Sequence, residues 1–143
     1  IRPAAAMMPG GLGELAAEAQ AAGIRNVTTL IDRWVDGSER FDAVGESLLV
    51  ATDGVADRVV GVGGLSRCSD VAGALRVRRF YVAERWRRRG VARALATELI
   101  AGGVLHSAVL TCNAGASDAA PPFWESIGFE PVDVAGITHL LRA

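Results

Sequence analysis

The sequence contains no lysine, since all 15 of its basic residues are arginines. That absence excludes a P-loop, whose grip on phosphate needs a lysine after its glycines. Cysteine is scarce as well. Cys68 and Cys112 stand at no metal-ligand spacing, which excludes a disulfide framework, gives no reason to expect a metal, and suits a reducing compartment, the cytoplasm by default. Long apolar runs are missing too. The nearest, Val91 to Leu105, is interrupted by Arg93 and Glu98 and is too short to span a bilayer. There is no repeat, linker, low-complexity segment or long block of like charge, and with 50% apolar residues the chain is not disordered. No secretory signal is visible. The chain starts at Ile1 rather than Met, so a first strand cut short is expected near Ile1 to Ala4. A length of 143 residues suits a single domain over 1–143, large enough to bury a core.

A net charge of −1 conceals an asymmetry. Eight arginines lie between Arg76 and Arg93, whereas residues 1–57 hold nine acids against four arginines. A compact positive site in a nearly neutral chain suits a small polyanion better than a nucleic acid. The acidic front half is compatible with a cationic acceptor, or is simply a solvated surface.

The centre of the chain, Arg76 to Ala101, carries the clearest pattern. Val77 to Val82 is rich in β-branched and aromatic residues and reads as a strand. Val91, Leu95 and Leu99 share one face of an amphipathic helix. Between them, Arg87-Arg88-Arg89-Gly90-Val91-Ala92 is a basic turn with a glycine where the helix begins. The first N–H groups of a helix lack intrahelical partners and sit at the positive end of its dipole, so this arrangement can hold a phosphate. Gly90 admits an oxygen to the backbone, Ala92 keeps the next turn clear, and the arginines add charge-assisted bonds. It is not a dinucleotide fingerprint, whose glycines follow another pattern with an acidic residue about 20 positions on.

Around this centre, Leu12, Leu15, Ala16 and Ala19 give one helix ending at Gly23, and Val27, Leu30, Ile31, Trp34 and Val35 a second ending at Asp36-Gly37. Residues 38–45 form a polar loop. Ser47 to Ala51 and Arg58 to Leu65 pair as a hairpin, and Gly61, Gly63 and Gly64 mark a bulge or a close backbone approach in its second strand. Ser107 to Cys112 is a further strand. Pro121 and Pro122 open a short helix that Gly128 ends, and Pro131 to Ala135 with Ile137 to Leu141 make a terminal hairpin. The order predicts a mixed α/β sheet covered on both faces.

Two motifs carry a family resemblance. Arg87-x-x-Gly90-x-Ala92, after Phe80-Tyr81-Val82, resembles the acetyl-CoA signature Gln/Arg-x-x-Gly-x-Gly/Ala of the GNAT family of N-acetyltransferases. Phe123-Trp124-Glu125-Ser126-Ile127-Gly128-Phe129 resembles that family's closing Phe-Tyr-x-x-x-Gly-Phe. The motifs stand in the family's order and roughly its spacing, and the resemblance covers nearly the whole chain. It implies a single GNAT-type domain with a sheet of about six or seven strands, splayed between the fourth and fifth so that a pantetheine arm lies in the gap. It also implies acetyl-CoA as cosubstrate and direct attack by an amine, without an acyl-enzyme.

The cofactor-binding residues implied are the backbone of Phe80, Tyr81 and Val82, the turn Arg87, Arg88, Arg89, Gly90, Val91, Ala92 and Arg93, and then Asn113, Ser117 and Trp124. Trp124 stands where relatives carry a tyrosine proposed as general acid. An indole N–H does not ionise usefully, so packing against the pantetheine arm is the role expected instead. Ser117 takes the place of a frequent asparagine, with Asn113 nearby. A strand-four position that often holds glutamate in relatives is Arg76 here, so the general base is sought at Glu46 or His139, with His106 and Cys112 behind them. Each of these has a structural reading beside the catalytic one. The expected partner is a small-molecule or peptide amine, with no nucleic acid and no membrane, and a homodimer is left open. Two other functions compete. One is a non-catalytic acyl-CoA binding or sensing module, favoured by the altered acid and base positions. The other is nucleic-acid binding through the arginines, which would be steeply salt-dependent.

Overall fold

The computed structural model describes residues 1–4, 8 and 10–143. Its strands are β1 (Arg2–Pro3), β2 (Ser47–Thr52), β3 (Val59–Arg67), β4 (Leu75–Val82), β5 (Val109–Cys112), β6 (Glu130–Val134) and β7 (Ile137–Arg142). The helices are α1 (Gly13–Ala21), α2 (Asn26–Asp36), α3 (Val91–Gly103) and α4 (Ala120–Ser126). The strands form one sheet in the order β1-β2-β3-β4-β5-β7-β6, antiparallel throughout except for the parallel β4–β5 pair.

Local chemistry explains most boundaries. Alternation in β2 buries Leu48 and Val50. The turn into β3 is closed by Asp53, whose Oδ1 accepts N–H bonds from Val55, Ala56 and Arg58 at 3.1, 3.0 and 3.3 Å. Helix α2 stops at Gly37, which takes the left-handed conformation at φ +82°. A 3-10 turn, Gly10–Leu12, precedes α1, and another, Glu84–Trp86, follows β4, ahead of the basic turn at 87–92. Short β1 pairs Arg2 with Val50 and Pro3 with Leu49.

Each face of the sheet has its own core. Leu12, Leu15, Val27 and Leu30 cover Val50, Val62 and Tyr81 on one side. On the other, Ala96 and Leu99 of α3 and Trp124 of α4 pack on Leu65, Leu75, Val77 and Leu110. Each fully buried leucine removes enough apolar area to contribute about 1.5–3 kcal/mol.

One irregularity positions the site. Val62 pairs with Tyr81 and Gly64 with Arg78, so Arg79 and Phe80 together oppose Gly63 alone. This is a bulge in β4, and Arg79 adopts φ +55° in it. The crowding there requires glycine at position 63. A Cβ on Gly63 would stand 2.7 Å from the Phe80 ring and 3.0 Å from Leu99. The registered pairing of β4 with β5 ends at Arg76–Thr111. Beyond it the two strands have parted, as the resemblance implied. Among the described residues no helix is long and apolar enough to cross a membrane.

Candidate active site

A cleft of about 870 Å³ occupies the gap where β4 leaves β5. One wall is β4 from Arg76 to Val82, and the opposite wall is Cys112, Asn113 and the loop leading to Phe123 and Trp124 on α4. Its end is the turn that starts α3.

That turn has the geometry of an anion cradle. Gly90 sits at φ +79°, immediately before Val91, and Arg88 at φ +62°. The first helical bond runs from the Ala94 N–H to the Gly90 carbonyl at 2.9 Å, so the N–H groups of Val91, Ala92 and Arg93 lie ahead of it. No heavy atom outside its chain neighbours comes within 4 Å of where a Gly90 Cβ would be, so the space is open to a ligand. Arg87 is fixed from below, its Nε donating to the Val82 carbonyl at 3.0 Å and its guanidinium 5.3 Å from the Tyr81 ring centroid. Arg93 donates to Ser126 Oγ at 2.9 Å, joining α3 to α4.

The free edge of β4 supplies the next contacts. The Ala83 N–H donates to the Val60 carbonyl, so the alternating residues Phe80 and Val82 direct their backbone groups to the cleft side. Their carbonyls are already taken. Asn26 Nδ2 donates to Phe80 O at 3.0 Å and Arg87 to Val82 O. What this edge offers a ligand is therefore the N–H of Phe80 and the N–H of Val82.

Of the residues expected at the site, Phe80, Tyr81, Val82, Arg87, Arg88, Gly90, Ala92, Arg93, Asn113, Ser117 and Trp124 line the cleft. The side chains of Arg89 and Val91 do not. Arg89 lies over the Trp86 ring at 5.1 Å beside a separate, smaller cavity, and Val91 faces Gly61. Trp124 is 5% exposed and stacks edge-on against Phe80, Phe123 and Phe129 with centroids 5.0, 5.0 and 5.3 Å away. Asn113 holds its own loop, accepting from the Gly115 N–H and donating to the Gly136 carbonyl.

Neither base candidate lines the cleft. The Glu46 carboxylate accepts the backbone N–H groups of Ala43 at 3.3 Å and Arg67 at 3.0 Å, tying the 38–45 loop to the end of β3. His139 is 4% exposed, with Nε2 2.9 Å from Glu125 Oε2 and Nδ1 2.8 Å from Thr138 Oγ1. His106 is exposed beside Gly45. Cys112 does line the cleft, but burial pushes its thiol up to about 12. Asp36, one of the acids of the front half, accepts the Ser38 N–H at the exposed end of α2.

Several cleft residues were not anticipated from the sequence. Asn26 opens α2, yet its side chain crosses to β4, and its buried Oδ1 has no donor partner among the described residues. In the sequence Arg78 and Arg79 count only among the eight arginines of the basic stretch. Arg79 instead makes a two-pronged ion pair with Glu39 at 3.1 and 3.4 Å, the side chains only 16% and 13% exposed.

Comparison with known proteins agrees with this geometry. The family model for the acetyltransferase (GNAT) domain matches residues 15–141. No curated protein matches the chain at a significant level. A candidate acetyltransferase from Exiguobacterium sp. 255-15 superposes with a TM-score of 0.82 at 27% identity, over 92% of this chain and 84% of its own. An acetyltransferase from Streptococcus agalactiae 2603 has the same fold, with a TM-score of 0.71 at 14% identity over 93% and 90% of the two chains. So does a GNAT-family acetyltransferase from Staphylococcus aureus Mu50, with a TM-score of 0.69 at 11% identity over 90% and 87%. A glycine turn before α3, a bulged β4 and a sheet that opens beside them are thus joined to a family match over most of the chain, which belongs to the GNAT family of N-acetyltransferases.

Proposed function

We propose that the protein moves an acetyl group from acetyl-CoA to an amine of a small molecule or peptide, by direct attack in a ternary complex. The observation that carries this reading is the parting of β4 from β5 next to the open cradle at Gly90. The N–H groups of Val91, Ala92 and Arg93 would hold the pyrophosphate, with Arg87 and Arg88 adding charge. The N–H groups of Phe80 and Val82 would pair with the pantetheine arm like an added strand, and the one nearest the thioester would polarise its carbonyl. Trp124 and Phe123 would keep water from that arm. The bound thioester supplies the acetyl group. In the transfer the acceptor nitrogen bonds to the acetyl carbon, the carbon–sulfur bond breaks with its electron pair leaving on sulfur, and the amine gives up one proton.

An acyl-enzyme has little support. Cys112 is the cleft thiol, and a group held near 12 stays protonated and a poor nucleophile at neutral pH. Glu46 and His139 are engaged elsewhere, so the proton would leave through water and catalysis would rest chiefly on orientation and carbonyl polarisation. The proposed setting is the cytoplasm, in keeping with Cys68 and Cys112 as free thiols.

The second reading, an acyl-CoA binding module without turnover, is favoured by one observation, the tryptophan at the usual acid position. Incubation with acetyl-CoA and a panel of amines, followed by thiol release and product mass, separates the two. An acetylated amine establishes the transferase. Tight CoA binding with no product from any amine establishes the binding module.

A further inference from the structure

The cleft extends past the phosphate cradle, and its far end is also basic. Arg76 and Arg78 lie two residues apart on β4 and share a face, because the alternating Leu75 and Val77 enter the core on the other side. With Arg79 they line the cleft, and among the described residues no carboxylate does. The three are not equally compensated. Arg79 is paired with Glu39. Arg76 has one long contact, 3.5 Å, to Asp70. Arg78 is partly buried, and its partners are neutral. Its Nε donates to Ser66 Oγ at 2.6 Å and its Nη2 to the Arg67 carbonyl at 3.3 Å. Among the described residues no carboxylate lies within 4.0 Å of it. Burial first, and the neighbouring Arg76 charge second, hold its guanidinium below its ordinary value.

A partly buried cation with no carboxylate in contact is costly, since Glu39, whose charge still reaches it, is committed to Arg79, and a ligand carboxylate would offset that cost. The phosphates of CoA are not that ligand on this reading. They belong at the Gly90 end. Four residues of β4 span only three of β3 across the bulge, and a strand rises about 3.3 Å per residue, so Arg78 stands about 10 Å back from Val82. The missing anion must come with the acceptor. A guanidinium presents a planar fork that suits a carboxylate, and among the described residues Nη1 of Arg78 has no hydrogen-bond partner.

We propose that the acceptor is an amine that also carries a carboxylate, and that Arg78, with Arg76 beside it, holds that carboxylate while the amine faces the acyl group. This rests on the acetyl-transfer reading and specifies its substrate class. It also favours the solvated-surface reading of the acidic front half over the cationic-acceptor one, since neither Glu46 nor Asp36 lines the cleft and the charge that does is positive.

The test compares free amino acids, β-alanine and γ-aminobutyrate with their amides, and with phosphoethanolamine, as acceptors for acetyl-CoA. For the best acceptor, the free acid should exceed its amide by about tenfold or more in kcat/KM. Arg78→Gln should raise the acceptor KM by about ten- to a hundredfold and abolish the preference, leaving the acetyl-CoA KM unchanged, and Arg78→Lys should restore part of it. If Arg78→Gln fails to fold, as judged by CoA binding, the wild-type choice between acid and amide decides alone. Equal use of acid and amide, or a preference for phosphoethanolamine, overturns the carboxylate proposal while leaving acetyl transfer intact. CoA binding without turnover of any amine overturns the transfer reading, and the acceptor assignment with it.

Discussion

Placing a negative charge at Gly90 tests the phosphate cradle most directly. Gly90 occupies the left-handed region at φ +79°, with no heavy atom beyond its chain neighbours within 4 Å of a Cβ placed on it. A substitution there meets backbone strain but no clash. The strain is about 1–2 kcal/mol for most residues and smaller for Asn and Asp, which visit this region most readily. At the start of α3, Asp should regain about 0.3–1 kcal/mol from the helix dipole, so Gly90→Asp and Gly90→Asn should both fold with stability within about 1 kcal/mol of wild type. Binding should separate them. Either side chain obstructs close approach of an oxygen and should cost about one charged hydrogen bond, 1.5–3 kcal/mol. Only Asp adds repulsion. A carboxylate about 4 Å from a phosphate, at an effective dielectric of about 20, opposes it by about 4 kcal/mol, a further thousandfold in Kd. Calorimetric titration with CoA should thus give a clear but weakened isotherm for Asn and almost none for Asp, with denaturant melts confirming the fold. Wild-type affinity in the Asp variant would refute the cradle. Losses equal to within about tenfold in both variants would show that crowding, not charge, governs the turn.

Three further outcomes are expected. Trp124→Phe should keep most of kcat with no new alkaline limb in the kcat/KM profile, whereas Trp124→Ala should lose about 3–5 kcal/mol of stability and weaken acetyl-CoA binding; a rise of about tenfold in kcat for Trp124→Tyr would show that an acid at this position matters. Glu46→Gln should lower stability by about 1–3 kcal/mol, as two backbone N–H groups lose a charged acceptor, without altering either KM; a large fall in kcat at unchanged stability would restore Glu46 as a base. Stability should fall at alkaline pH, because burial holds both the Cys112 thiol and the Tyr81 hydroxyl up near 12. Protons retained in the folded state but lost from the unfolded one make the folded form less favoured as pH rises from the ordinary values, 9.0 and 10.0, towards 12, with no such dependence below them. Denaturant midpoints that stay flat across this window would contradict both shifts.

What the sequence disclosed was local. The stripe Val27, Leu30, Ile31, Trp34 with Gly37 behind it defines α2, and Arg87 to Ala92 defines the glycine turn before α3, because each signal lies within one or two turns of chain. Glu46 illustrates the limit. Its carboxylate is committed to the N–H of Arg67, 21 residues away, and no pattern near Glu46 distinguishes a backbone acceptor from a base. His139 is similar, its role fixed by Glu125 on a different element. Asn26 drew no reading for the opposite reason. Asparagine at a helix start is commonplace, so nothing marks it as the residue that binds the Phe80 carbonyl. The bulge has a half-legible origin. Gly63 flags a close approach, but a positive φ at an arginine has no sequence signature at all.

That arginine connects the two halves of the molecule. A non-glycine residue held near φ +55° costs about 1–3 kcal/mol, and such strain persists only where neighbours over-determine it. Three neighbours do so at Arg79. Gly63 leaves room for the Phe80 ring on one face of the sheet. Asn26 pins the Phe80 carbonyl. Glu39, from the loop after α2, grips the Arg79 guanidinium in a pair shielded from water, and breaking such a pair from one side typically costs about 3–5 kcal/mol. The bulge turns Phe80 and Val82 towards the cleft and coincides with the divergence of β4 from β5. The loop that carries Glu39 therefore helps to hold the bulged edge of β4, and with it the backbone donors that the proposed transfer would use. It also accounts for one part of the acidic front half, where an acid serves as counter-ion to a strained arginine rather than as a docking point for a cationic substrate.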